Sequence, residues 1–204
     1  MSVSLQKGQK VDLTKGNSGL RAVMVGLGWD EVKQRGGIFG RKPADIDCDA
    51  IAFLLDANGR IADRKDVVFF NNLNHASGCV KHMGDNLTGA GEGDDEQIYI
   101  DLSKLPSNYE RVVILVSIYQ ATERNQHFGL IENAFIRLVD ADKNTELCIY
   151  NLSENYSGMT AMIFGEVYRH SGEWKFNAMG QALRTHSVAD LAAQYGLPLT
   201  VWRR

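Results

Sequence analysis

Residues 111–119 read Arg-Val-Val-Ile-Leu-Val-Ser-Ile-Tyr. A short, unbroken run of β-branched and apolar residues is the pattern of a central strand buried on both faces. The segments around it carry the same signal. Residues 97–102 alternate strictly, with Ile98, Ile100 and Leu102 on one face. Residues 133–139 and 146–152 flank a polar turn cluster that begins at Asp140, and residues 160–169 and 174–179 flank His170-Ser171-Gly172-Glu173. Both pairs predict hairpins. Further apolar runs cover 20–29, 47–55 and 67–70, and Asn58-Gly59 after the second of these is a strong short-range hairpin signal. One helix is expected. Ser187 is its N-cap, Val188, Leu191, Ala192 and Tyr195 form its apolar face, and Gly196 and Pro198 end it. Short strands separated by turns, with no helices alternating between them, predict an all-β antiparallel sandwich or barrel with a short C-terminal helix. Residues 1–196 form one domain in this reading and 197–204 its C-terminal tail, of which 200–204 look loose.

Composition narrows the class. The chain has 204 residues, 44% hydrophobic and 23% charged, which is ordinary for a folded domain and long enough to bury a core without disulfides. Its net charge is −3, with no basic stripe that would point to nucleic acid. No run approaches the ~20 apolar residues of a membrane helix. Residues 1–8 lack the apolar core of a signal peptide. Cys48, Cys79 and Cys148 contain no C-x-x-C pair and favour reduced thiols in a cytoplasmic setting.

One segment departs from the strand pattern. Residues 84–96 read Gly-Asp-Asn-Leu-Thr-Gly-Ala-Gly-Glu-Gly-Asp-Asp-Glu, with acids at Asp85, Glu92, Asp94, Asp95 and Glu96 and no lysine or arginine between His82 and Ser103. Crowded carboxylates repel one another unless water screens them or a cation neutralises them. The hard oxygen donors and flexible glycines suit Ca²⁺ better than the octahedral demands of Mg²⁺; a solvated acidic loop without an ion is the alternative. A second acidic run, Asp45-Ile-Asp47-Cys-Asp49, resembles the opening of an EF-hand but has Ala50 where that loop needs glycine. As the start of a strand it puts Asp45, Asp47 and Asp49 on one side, able to face the acidic loop across a sheet.

Taken together, these stretches resemble the TerD family of tellurite-resistance and general-stress proteins. The signature is the run from Gly84 through Glu96 and on to Leu102. Other matching pieces follow in order: Gly26-Leu-Gly-Trp-Asp30, Asp45-Ile-Asp47, Phe69-Phe-Asn-Asn72, Asn133-Ala-Phe-Ile-Arg137 and Phe164-Gly-Glu-Val-Tyr-Arg169. The resemblance covers roughly residues 2–196. It implies a two-sheet antiparallel β-sandwich that binds Ca²⁺ in loops at one end and acts, without catalysis, as a cation-dependent scaffold in stress resistance. The ligand set it implies is Asp45, Asp47, Asn71, Asn72, Asp85, Asn86, Asp94, Asp95 and Glu96, with Asp30 as a supporting residue. The partners it implies are other stress or tellurite-resistance proteins, with the inner face of the membrane as one place of action and self-association left open. The chain departs from the family at Asp49, commonly serine, at Ala90, usually glutamate, and at a small insertion over 36–43.

Three other chemistries can be weighed on the residues. A metal-dependent hydrolase or phosphoryl-transfer site could use Asp85, Asp94 and Asp95, but no histidine or lysine is placed by motif as a general base. His75, Cys79 and His82 have metal-ligating types but lack a fourth ligand. Capture of a metalloid by a thiol requires an exposed cysteine, whereas Cys48 and Cys148 lie in strand patterns and read as buried.

Overall fold

The computed structural model describes residues 2–31, 46–85, 93–185 and 187–202, with Glu31 and Asp85 described by backbone alone. The described strands are β1 (Val3–Leu5), β2 (Lys10–Asp12), β3 (Ala22–Glu31), β4 (Cys48–Leu55), β5 (Val67–Val68), β6 (Val80–Asp85), β7 (Glu96–Asp101), β8 (Arg111–Ile118), β9 (Ile131–Asp140), β10 (Thr145–Asn151), β11 (Ala161–His170) and β12 (Glu173–Leu183). They form two six-stranded sheets, ordered β1-β10-β9-β3-β7-β6 and β2-β12-β11-β8-β4-β5. The expected sandwich is therefore present. Every pairing is antiparallel except β1 with β10, where Val3–Leu5 runs parallel to Cys148–Tyr150. A three-residue strand carries no alternation long enough to read from sequence.

The facing sides of the sheets enclose the main core. Val25, Leu27, Ile98, Ile100, Ile136 and Leu138 of the first sheet meet Ala52, Leu54, Ile114, Val116, Phe164 and Phe176 of the second. The second sheet has a further apolar side, where Ile51, Phe53, Val113, Leu115 and Ile163 are covered by Leu191 and Ala192 of the helix α1 (Val188–Gln194). This second layer is why residues 111–119 lack alternation: β8 lies inside its sheet with apolar neighbours on both faces.

The turns follow their sequence signals. Ser171 and Gly172 both take positive φ, at 54° and 80°, in the β11–β12 hairpin. The Asp140 carboxylate accepts the N–H groups of Asp142 and Lys143, which closes the β9–β10 turn at the expected polar cluster. Asn58-Gly59 forms a tight turn in which Asp56 accepts the N–H groups of Asn58 and Arg60, although the next strand begins only at Val67. Ser187 caps α1 by accepting the Asp190 N–H at 3.1 Å.

The C-terminal tail packs onto the second sheet as far as Trp202. Leu197 is buried, Leu199–Trp202 forms a 3₁₀ turn, and the Trp202 ring packs edge-on against Phe69 at 6.0 Å with the Arg64 guanidinium 4.8 Å from its centre. The apolar outer side of the second sheet needs more cover than a seven-residue helix provides, and the tail supplies it.

Candidate functional site

β7 begins with consecutive acids that diverge. Asp94 turns to the outer side of the first sheet, where it is buried against Arg137 of β9. Arg137 Nε donates to its Oδ1 at 2.7 Å and Nη2 to its Oδ2 at 3.1 Å, a two-pronged pair, and Gln97 Nε2 adds a third donor at 2.9 Å. This pairing raises the Arg137 pKa above its usual range. The seat exists because residue 26 has no side chain: a Cβ on Gly26 would lie 2.2 Å from the Asp94 carboxyl. Gly28 does the same for the Phe135 ring.

Glu96 turns inward and joins the sheets. Its buried carboxylate accepts the N–H of Ala50 on β4. β5 pairs only with Ala52 and Phe53 and leaves that part of β4's edge without a β5 partner. His82 lies alongside, with Nε2 3.7 Å from Glu96 Oε1 and Nδ1 accepting the Gly84 N–H at 3.1 Å. The Gly84 bond puts the ring proton of neutral His82 on Nε2, facing Glu96.

Between these two, Asp95 stays exposed at the strand's start. Its Oδ2 accepts the Trp29 N–H at 2.7 Å, and its own N–H donates to Leu27 O. Partial burial raises the Asp95 carboxyl above its usual range, and the nearby carboxylates of Asp30 and Asp94 add to the rise against the Trp29 bond. Asp30 receives Asn133 Nδ2 at 2.8 Å, and Asn133 holds a positive φ of 54° beside a bulge in the β3–β9 ladder. Trp29, Asp30, Gly93, Asp95, Asn133, Phe135 and Arg137 line one small cleft.

The other predicted ligands divide. Asp47 is exposed just before β4, its Oδ2 3.9 Å from Arg124, and its carbonyl accepts the Tyr119 N–H. Burial and then the field of Glu96, Asp49, Asp47 and Asp95 push the Cys48 thiol well up, so the acidic starts of β4 and β7 do lie at one end of the sandwich. Asn72 serves a turn instead: its Nδ2 donates to Val67 O at 2.7 Å and Lys65 O at 3.3 Å. Asn71 is exposed at that turn. Asp45, Asn86 and the side chain of Asp85 lie outside the described residues, as does the whole insertion over 36–43. Among the described residues, no three His, Cys, Asp or Glu side chains stand together in a manner that could hold one ion.

The hard, accessible oxygens of Asp95, Asp47 and Asp30 fit a calcium ion chemically. Asp94 and Glu96 fit it less well, because protein donors already occupy them. Sequence reasoning missed Arg137 and Gly26 as the partners of Asp94, although both stand in the stretches that carry the family resemblance. The soft-ligand trio also separates. His75 Nε2 meets buried Asp66 at 3.2 Å, Cys79 Sγ donates to Lys104 O at 3.0 Å, and His82 sits by Glu96. All three cysteines are buried, and burial pushes the Cys148 thiol up to about 12. None is an exposed thiolate of the kind metalloid capture requires.

The architecture is thus a two-sheet β-sandwich carrying an acidic, strand-end site. A family model described as the TerD domain matches residues 1–195, and the chain belongs to that family. It is 48% identical over 199 residues to the stress response protein SCP2 of Bacillus subtilis (strain 168), covering 96% of this chain and all of that one. It is 47% identical over 197 residues to the tellurium resistance protein TerD of Serratia marcescens, covering 97% and 98% of the two chains. The crystal structure of a homologue of telluride resistance protein (TerD), SCO6318 from Streptomyces coelicolor A3(2), aligns with a TM-score of 0.62 at 25% identity, over 88% of this chain and 100% of that one. Among the described residues no helix is long and apolar enough to cross a membrane.

Proposed function

We propose that this chain is a cytoplasmic stress-response protein of the tellurite-resistance type, a calcium-dependent binding scaffold rather than an enzyme. The observation that carries the reading is the meeting of two acidic strand starts at one end of the sandwich, joined by the Glu96–Ala50 hydrogen bond between sheets. Names among the relatives, tellurium resistance and stress response, support the biological setting. Asp47 and Asp95, on different sheets, would supply carboxylate oxygens, with the predicted ligands Asp45, Asp85 and Asn86 from the flanking segments. A divalent ion there offsets the repulsion among the acids and ties the β4 and β7 starts together, which orders a surface for other stress-resistance proteins.

Binding of this kind stabilises the fold by mass action, about 2.7 kcal/mol at a hundredfold excess of ligand over its Kd. For a chain of this size that raises Tm by roughly 5–10 °C. Calorimetric titration with Ca²⁺ should give a saturable isotherm for the wild type and a weakened one for Asp95→Ala, and a melt in Ca²⁺ should exceed one in chelator. A flat titration with identical melts at millimolar Ca²⁺ would overturn the reading.

A further inference from the structure

A hydroxyl, an imidazole and a carboxylate stand in line at the turn that leads into β6. Ser77 Oγ lies 2.6 Å from His75 Nδ1, and His75 Nε2 lies 3.2 Å from Asp66 Oδ1. His75 and Asp66 are buried, whereas Ser77 is exposed. The Ser77 N–H also donates to Nδ1, at 3.2 Å, so Nδ1 is the acceptor and the ring proton of neutral His75 sits on Nε2, facing Asp66. The carboxylate is fixed in turn: Tyr109 Oη donates to its Oδ1 at 2.7 Å and the Asp63 N–H to its Oδ2 at 3.0 Å. The Tyr109 ring meets the imidazole edge-on at 5.2 Å and holds its plane. A serine turn closes with the Ser77–His75 contacts alone. The buried acid on the far nitrogen comes from another segment, the 3₁₀ turn Arg64–Asp66, and closing the Ser77 turn does not require it.

We infer that Ser77 is a base-activated nucleophile that accepts an acyl group from an activated ester or thioester. A serine hydroxyl set against a histidine that a third group orients is the arrangement that makes such a hydroxyl reactive. In the step, Ser77 Oγ attacks the acyl carbon while its proton passes to His75 Nδ1. The Oγ–carbon bond forms, the bond from the acyl carbon to the alkoxide or thiolate breaks, and the proton on Nδ1 goes to that leaving group. Asp66 acts through His75 as a positioning residue: it holds the tautomer and offsets the charge of the imidazolium. Access is open. Ala76 and Gly78 on either side are exposed, and a Cβ at Gly78 would meet nothing within 4 Å. The amides that follow the serine are already engaged, the Gly78 N–H with His75 O at 2.8 Å and the Cys79 N–H with Ser77 Oγ at 3.3 Å. Neither is aimed at an oxyanion, so the acyl group is retained and Ser77 is a modification site, in keeping with a binding protein. β6 runs from this turn to the acidic segment at its other end, and the inference does not depend on the calcium reading.

The test is reaction of the full chain with p-nitrophenyl acetate at neutral pH, followed over time by peptide mapping in the mass spectrometer. The Ser77 peptide should gain one acetyl ester at least about a hundredfold faster than the peptides holding Ser107 and Ser171, which are also exposed. Ser77→Ala should lose that label and keep its Tm. His75→Gln should drop the rate to that of the other serines, and Asp66→Asn should lower it at least about tenfold. Imidazole NMR of the wild type should find the His75 proton on Nε2. Wild type unfolded in urea, a comparison that needs no variant to fold, should show no preference for Ser77. A Ser77 rate equal to that of Ser107 and Ser171 in the folded chain overturns the inference, as does a His75 proton found on Nδ1 or a preference that survives in urea. Steady release of nitrophenol traced to Ser77 with no ester accumulating overturns the modification site and makes the serine a hydrolase nucleophile instead.

Discussion

Arg137 and Asp94 lock the outer side of the first sheet through two parallel hydrogen bonds, 2.7 and 3.1 Å long, over the bare backbone of Gly26. Asp94 is buried and Arg137 is about one-third exposed, so the carboxylate depends on this guanidinium for its charge partner. The pair also sets where the acidic segment meets the strand, because Asp94 immediately precedes Asp95 and Glu96.

Gly26→Ala tests that dependence. Its Cβ would fall 2.2 Å from the carboxyl carbon of Asp94, so the side chain must leave its seat and Arg137 must lose its bonds. The substitution should destabilise the protein by about 1–3 kcal/mol, measured by urea denaturation. With Asp94 already replaced by alanine the clash is gone, so Gly26→Ala should then cost much less, and the double-mutant cycle should show strong coupling. Additive effects would mean that Gly26 matters for backbone reasons unrelated to Asp94.

Asp66 should make the fold acid-sensitive. Burial alone would raise its carboxyl, yet hydrogen bonds from His75 and Tyr109 and the Asp63 N–H outweigh burial and hold it below the usual range. The same contact, after burial, helps push the Tyr109 phenol up to about 12. A carboxyl depressed in the folded state contributes stability above its unfolded value, near 3.9, which is lost as pH falls through the folded value. Asp66→Asn should therefore cost about 2–3 kcal/mol at pH 7. It should also flatten the loss of stability that the wild type suffers below pH 4. Parallel stability–pH curves for the two proteins would remove Asp66 from the account.

These residues show where the sequence could be read and where it could not. The strands over 22–31, 48–55, 96–101, 111–118, 131–140, 145–151, 161–170 and 173–183 announce themselves through alternation, apolar runs or turn residues, and the helix through Ser187 and Gly196. β1 and β2 are three residues long, too short for any period, and exist because longer strands offer them an edge, whereas β5 falls inside the apolar run read over 67–70. At the site, composition located the acidic segment but gave no partners for it. Each neutralising contact comes from far along the chain: Arg137 to Asp94, Ala50 to Glu96, Trp29 to Asp95. Sequence counted the absence of lysine and arginine between His82 and Ser103 as unrelieved charge. The fold relieves part of it through a sheet neighbour that local reading cannot see.

The C-terminal segment packs against the outer side of the second sheet. Residues 197–202 follow the helix without a periodic pattern, yet Leu197 is buried in the cluster that contains Ile61, Phe69 and Leu191, and the Trp202 ring lies between Phe69 and Arg64. Ending the chain after Gly196 would remove Leu197 and Trp202 and uncover Phe69, which is only 4% exposed. Burying one leucine contributes about 1.5–3 kcal/mol, and the half-buried tryptophan adds to it, so the truncated protein should lose at least ~3 kcal/mol in urea denaturation. Trp202→Ala alone should lose less, because Leu197 keeps its place. The emission of Trp202, shielded by Phe69 in the native state, should shift red on unfolding in a variant where Trp29 and Trp174 are phenylalanine. If the truncated chain instead matches the full-length protein in stability, the docked segment is an ornament on the second sheet and the helix alone suffices to cover it.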